Sequence, residues 1–338
     1  MAGGAKVNFP MSNTMKTLVV EKPGQVAWRD APMPRPAAGE VLVRVLGVTT
    51  CPHWDMHILG GVPMFPGMKL SYPYIPGAPG HEAMGEVVGV GNGVKKLKVG
   101  MRVVAWQDTG QPRPGFYAQY NAFPEKSLLP IPRKLTAKQI ASLELAMCVE
   151  VSFQQLAQLG GVKGRRVGIA GLGPAGLVAV QLAKAHGASE VVGIDMVASR
   201  RALARKLGAD RTCAPNPATW KADRNGPKTL DDAVDCTGLP PSISFLMDRT
   251  KRCVTIFGVL REDVPYGARH MWGPGVTLMG YGDHNRAAAE TALKFVIQGK
   301  LDLSPLVSKT LPFTRYVEGV ELLKTKKAIK VLFDPWAE

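Results

Sequence analysis

The sequence predicts an α/β protein in which a doubly wound parallel sheet is joined to an antiparallel, β-rich region. Three observations carry this. With 338 residues the chain exceeds the roughly 250–300 at which one hydrophobic core stops growing, so two domains are expected. Its early part holds short valine-rich runs broken by glycine and proline, and from Arg166 onward apolar runs alternate with helix-like stretches. Taken in order, residues 15–20, 40–48, 85–90 and 101–105 read as strands, because turn formers interrupt them about every ten residues. Residues 136–159 read as a helix. Strand 167–170, helix 174–186, strand 190–195 and helix 199–207 follow, with Gly187 and Gly208 where helices stop. Strands at 232–236, 253–257 and 276–279 extend the parallel sheet, and a helix at 286–298 precedes a last β-like run at 329–333. There is no internal repeat.

Composition narrows the class. With 46% hydrophobic and 20% charged residues the chain can bury a core and is not intrinsically disordered. Its five cysteines (Cys51, Cys148, Cys213, Cys236, Cys253) are scattered, which suits a reducing compartment better than a disulfide framework. No uncharged apolar run nears the roughly 18 residues of a membrane span. The opening stretch has only Leu18-Val19-Val20, too little for a signal peptide. The expected location is the cytoplasm, with no membrane partner. The 42 basic and 27 acidic residues give +15, compatible with anionic ligands. The densest basic stretches, 200–206 and 324–327, lie in helix-like patterns and read as solvated faces, so no nucleic-acid partner is expected.

Gly171-Leu-Gly173-Pro174-Ala175-Gly176 follows a predicted strand and opens a predicted helix. The first glycine permits the tight turn, the second lets the backbone approach a pyrophosphate, and the third lets helix and strand pack closely. The helix start offers free N–H groups to the phosphates. Nineteen residues past Gly176 stands Asp195, placed to accept hydrogen bonds from the adenosine ribose hydroxyls. This is a Rossmann dinucleotide fingerprint. The acid repels a 2′-phosphate and favours NAD, whereas Arg200 and Arg201 close behind keep NADP open.

A second pattern is Gly80-His81-Glu82-Ala-Met-Gly85, continuing through Gly91 to Val94. With it the chain resembles the zinc-type medium-chain dehydrogenase/reductase family over nearly its whole length. The resemblance implies a GroES-like catalytic domain built from both chain ends, 1–148 and 288–338, around an inserted Rossmann domain, 149–287. It also implies that His81 is a catalytic zinc ligand with Glu82 its carboxylate neighbour, that Cys148 is the third ligand, and that Cys51 is the first. Two thiolates and an imidazole suit tetrahedral Zn²⁺ with one open position.

Two departures from the family pattern stand out. Cys51-Pro-His53-Trp54-Asp55-Met-His57 is one residue longer than the usual ligand segment. Counted forward from the preceding strand, Cys51 takes the ligand place and His53 the proton-relay place; counted back from Asp55 and His57, Pro52 and Trp54 do. The forward count keeps a thiolate and a proton acceptor and is preferred. Residues 105–115 also lack the four cysteines of a structural zinc loop, so one catalytic zinc and no structural zinc is expected.

The reading is an NAD(P)-dependent oxidoreductase acting on a secondary alcohol, polyol or sugar-like alcohol and its carbonyl. Cys51, His81 and Cys148 hold its metal with Glu82 beside them, and His53 or His57 carries the proton outward. Trp54, Phe116 and Trp106 are candidate pocket walls. A homodimer or homotetramer is the expected assembly. A zinc-free quinone or enoyl reductase, or a cofactor-binding protein without catalysis, remains the alternative.

Overall fold

The computed structural model describes residues 12–65, 67–108, 113–272 and 275–338. The stretch lacking the zinc-loop cysteines therefore lies partly outside the described residues, at 109–112. The chain divides into two units, Met1–Glu144 with Leu303–Glu338, and Leu145–Asp302.

In the first unit β1 (Thr14–Lys22) and β2 (Gln25–Pro32) form an antiparallel pair. Next come β3 (Glu40–Thr49), α1 (Pro52–Gly60), β4 (Glu82–Val90), β5 (Arg102–Ala105), β6 (Tyr120–Pro124), β7 (Leu128–Pro130) and the short α2 (Ala137–Ile140). Strand β3 is central, antiparallel to both β4 and β6. Its Val41, Leu42, Val43, Val45 and Val48 are all buried. Burial on both faces is why this segment reads as a continuous apolar run instead of an alternating one. Pro52 at the first helical position needs no hydrogen-bond acceptor and starts α1, which Gly61 ends at φ 71°.

Helix α3 (Leu143–Gln158) leads into the second unit. There β8 (Arg166–Ala170), α4 (Pro174–Ala185), β9 (Glu190–Ile194), α5 (Ala198–Lys206), β10 (Arg211–Cys213), β11 (Leu230–Asp235), α6 (Pro240–Met247), β12 (Thr250–Ile256), α7 (Ala268–Met271), β13 (Thr277–Met279) and α8 (Arg286–Ile297) follow. The sheet order β10-β9-β8-β11-β12-β13, with all pairings parallel, is the doubly wound arrangement. The chain then returns to the first unit through β14 (Val307–Pro312), α9 (Tyr316–Lys324) and β15 (Lys330–Asp334), where β15 pairs antiparallel with β3.

The division falls at 144/145 and 302/303, not at 148/149 and 287/288 as the sequence suggests. Helix α8 and its exit are fastened within the second unit. The Gln181 side chain donates to the Asp302 carbonyl (3.0 Å) and accepts from its N–H (2.8 Å), and the Asn285 amide donates to Gln154 (3.1 Å). No helix among the described residues is long and apolar enough to cross a membrane.

Candidate functional site

Strand β3 ends at Thr49, and Cys51 follows as the N-cap of α1. The pairing of Thr49 with Glu82 on β4 brings the two halves of the site together. One donor atom each from Cys51, His81 and Glu82 lies within 4.8 Å of the others. The carbonyl of Pro79 can only accept, so at 2.7 Å it fixes the hydrogen on His81 Nδ1 and leaves Nε2 as the metal-facing nitrogen. A fourth group joins from the start of α3, with Glu144 Oε2 3.7 Å from His81 Nε2.

Glu82 is held differently. Lys330 Nζ donates to both its oxygens (2.5 and 2.6 Å) and to the Thr50 carbonyl, and Thr49 Oγ1 donates to Oε2 (3.1 Å). Both members of this ion pair are buried, so Glu82 sets the field beside the ligands while its own charge is matched. Asp55 is also buried, accepting from Cys51 N (2.7 Å), Tyr117 OH (2.8 Å) and Tyr316 OH (2.6 Å). Burial pushes Asp55 up to about 6 against the pull of those donors. With Asp55 N donating back to Cys51 O at 2.9 Å, the Cys51 backbone is fixed from both sides.

The donor set fits a divalent cation. Burial alone would depress the His81 imidazole, yet the hydrogen bond with Cys51 and the fields of Glu144 and Asp108 hold it well above the usual histidine value. A proton is thus favoured on His81 beside the Cys51 sulfur and the buried Glu144 carboxylate, and a metal ion would replace it.

The other residues named from sequence fall as follows. His53 is exposed on α1, with its ring centroid 6.0 Å from that of His57 one turn on. His57 Nδ1 donates to the Val62 carbonyl (2.8 Å). Trp54 and Phe116, but not His53, line a cleft at His81 that Tyr74 and Asp108 share. Trp106 is buried and donates Nε1 to the Lys126 carbonyl (3.0 Å). Cys148 is buried on α3 in the second unit, where its sulfur comes within 4.8 Å of a His284 ring nitrogen. Lys330, Tyr117, Tyr316, Glu144 and His284 were not singled out from sequence. A lysine inside the apolar run Ile329-Lys-Val-Leu and a glutamate inside Ser142-Leu-Glu-Leu-Ala are the signals that could have found two of them.

In the second unit Gly171 has φ 83°, and a Cβ on Gly176 would meet the Gly171 carbonyl at 1.9 Å, so glycine is required at both. A Cβ at Gly173 would have nothing within 4 Å, leaving the backbone open to a pyrophosphate beside the N-terminus of α4, where Pro174 and Ala175 form the first turn. Asp195 Oδ2 accepts from Leu172 N (2.7 Å) and Oδ1 from Val197 N (2.7 Å), which fixes its carboxylate at the end of β9. Arg200 lies 3.9 Å from that carboxylate, and Arg201 donates to the Asp195 and Met196 carbonyls. The turn, open backbone and fixed acid fit a nicotinamide dinucleotide.

Comparison with known proteins agrees with both halves. Residues 37–133 match the alcohol dehydrogenase GroES-like domain family, and 174–298 match the zinc-binding dehydrogenase family. An alcohol dehydrogenase of Geobacillus stearothermophilus is 30% identical over 342 residues, covering 90% of this chain and 97% of that protein. An L-threonine 3-dehydrogenase of Rhizobium rhizogenes is 26% identical over 365 residues, covering 96% and 99%. The crystal structure of galactitol-1-phosphate dehydrogenase from Escherichia coli superposes with a TM-score of 0.81 at 23% identity, covering 95% of this chain and 100% of that one.

Proposed function

The chain belongs to the zinc-type medium-chain dehydrogenase family and is an NAD(P)-dependent alcohol oxidoreductase, and on that premise we propose its ligand set, cofactor preference and substrate class. Cys51 and His81 hold one catalytic zinc. The third ligand comes from α3, where Glu144 is 3.7 Å from His81 Nε2 and Cys148 stands one turn further on as the thiolate choice. When bound, zinc supplies Lewis acidity to an alcohol or carbonyl oxygen, and the nicotinamide ring takes or returns the hydride.

The chain's own residues do the rest. Lys330 and Glu82 form a matched buried pair beside the ligands, and Asp55 locks the Cys51 backbone. Trp54, Tyr74 and Phe116 give the cleft an aromatic wall that excludes water, and Asp108 at its edge accepts hydrogen bonds from hydroxyl groups. His57, whose Nδ1 donates to the Val62 carbonyl, and exposed His53 one turn before it on α1 carry the proton outward to solvent. A secondary alcohol or polyol fits this combination of apolar wall and polar edge. NAD is preferred over NADP, because the fixed Asp195 carboxylate repels a 2′-phosphate.

The observation that carries the reading is His81 with a Cys51 donor atom within 4.8 Å and Glu144 Oε2 3.7 Å from its Nε2. Steady-state reduction of NAD with a panel of primary alcohols, secondary alcohols and polyols tests it. The highest kcat/KM should fall on a secondary alcohol or polyol, and a primary alcohol in that place would refute the substrate class.

A further inference from the structure

Apart from the cleft at His81, the second unit holds a cavity of about 210 Å³ that the dehydrogenase reaction does not use. Three of its lining side chains are cationic: Arg166 opens β8, Arg211 opens β10, and Lys228 stands just before β11. Arg166 lies at the sheet end opposite Gly171, whereas Arg211 is level with Val192 in the middle of β9 and the carbonyl of the lining residue Cys213 accepts from Asp195 N (3.1 Å), so the cavity runs along β9 and β10. The length of β8 separates Arg166 from Gly171 by roughly 16 Å.

The charge there is unbalanced. Among the described residues no carboxylate lines the cavity. Of the acids at its margin, Glu190 is shared between Arg166 (2.5 Å) and Arg211 (3.6 Å), and Asp231 accepts from the Arg166 backbone N–H (2.8 Å), while among the described residues no ion pair to Lys228 joins them. Arg166 also donates to the Pro227 carbonyl (2.7 Å), which ties the loop carrying Lys228 to the start of β8. The hydroxyls of Thr212 and Thr219 add hydrogen-bonding groups. Val192 and Trp220 supply an apolar floor. The Trp220 backbone is held by the fully buried Arg249 guanidinium, which donates to its carbonyl, and the indole packs edge-on against Phe245 with 5.7 Å between ring centroids. A rigid indole under a cationic rim is arranged to stack a flat group and hold its charge. The volume exceeds the roughly 150 Å³ that accommodates one benzene ring, which leaves room for a ring and one anionic substituent.

We propose that this cavity is a second ligand site, separate from the dinucleotide fingerprint, for a small planar-ring anion whose phosphate or carboxylate sits among Arg166, Arg211 and Lys228 with its ring over Trp220. The test is calorimetric titration of phenyl phosphate, benzoate and phenol into the full-length protein held at saturating nicotinamide cofactor, so that the fingerprint is already filled. At least one of the two anions should bind saturably at one site per chain, more weakly as salt is raised, with phenol far weaker; the tighter anion identifies the substituent. Arg211→Glu and Lys228→Glu should each lower that affinity by about tenfold or more, while leaving alcohol oxidation unchanged. No saturable binding up to about 10 mM, equal binding of phenol, or binding that both rim variants leave intact would overturn the proposal.

Discussion

Replacing Lys330 with methionine isolates the buried charge pair beside the proposed metal ligands. In the parent, Lys330 and Glu82 are 0% and 1% exposed and meet at 2.5 and 2.6 Å, so neither charge has water as a substitute partner. Lys330→Met would leave the Glu82 carboxylate buried with only Thr49 Oγ1 donating to it, and would also strip a donor from the Thr50 carbonyl. Removing one member of such a pair costs about 3–5 kcal/mol, because the remaining charge is uncompensated. For a unit of this size that corresponds to a Tm lower by roughly 10 °C. Pairing the change with Glu82→Gln removes the orphan charge, and the double variant should recover most of the loss, since a neutral pair of similar volume is often as stable as the ion pair. Differential scanning calorimetry on the four proteins of the cycle measures this. A Lys330→Met Tm within about 2 °C of the parent, or a double variant no better than the single, would refute the claim that Lys330 exists to match Glu82.

Other consequences follow from the same contacts. Asp195→Ala should reduce the preference for NAD over NADP by about tenfold, and Asp195→Asn by less, since an amide oxygen can still accept from Leu172 N; kcat/KM for the two cofactors decides, and an unchanged ratio removes Asp195 as the selector. Asp55 keeps a proton in the fold up to about 6, whereas the unfolded chain releases it near 3.8, so its contribution to stability falls as pH rises from about 4 to about 6 and is level above. Urea unfolding should therefore show the parent losing stability relative to Asp55→Asn over that interval, and a gap that widens in the parent's favour would contradict it. His53→Ala should depress alcohol oxidation most near neutral pH and leave zinc bound, because it touches proton movement alone; a flat loss across the pH–rate profile would assign His53 no such part.

The doubly wound sheet was legible because its signals are local. Gly171, Gly173 and Gly176 sit between a buried strand and a helix, and Asp195 closes the next strand, so the fingerprint needs only about thirty residues to be read. The candidate metal site was marked in part by the Gly80-His81-Glu82 spacing and by Cys51 just after β3, residues that the fold brings together. What escaped depends on pairings distant in sequence. Lys330 reaches Glu82 from 248 residues away, and Tyr316 reaches Asp55 from 261, through a β15–β3 pairing and a helix that local patterns do not announce. The extra residue after Cys51 shows the same limit. Counting forward suits Cys51, which the structure places beside His81, whereas counting back suits Trp54, which lines the cleft while His53 is exposed. The edge strand β10 and strand β14 were missed because three residues, or a run with exposed Ser308, Lys309 and Thr310, carry too little apolar signal.

The most direct test of the account is zinc content measured against alcohol-oxidation rate, on parent, Cys51→Ser and His81→Ala protein purified without chelator. The account predicts about one zinc per chain in the parent, a rate that falls in proportion as zinc is withdrawn and returns when it is restored, and loss of metal and rate together in both variants. A parent that oxidises alcohols at full rate without zinc, or a Cys51→Ser variant that keeps both its zinc and its rate, would contradict it.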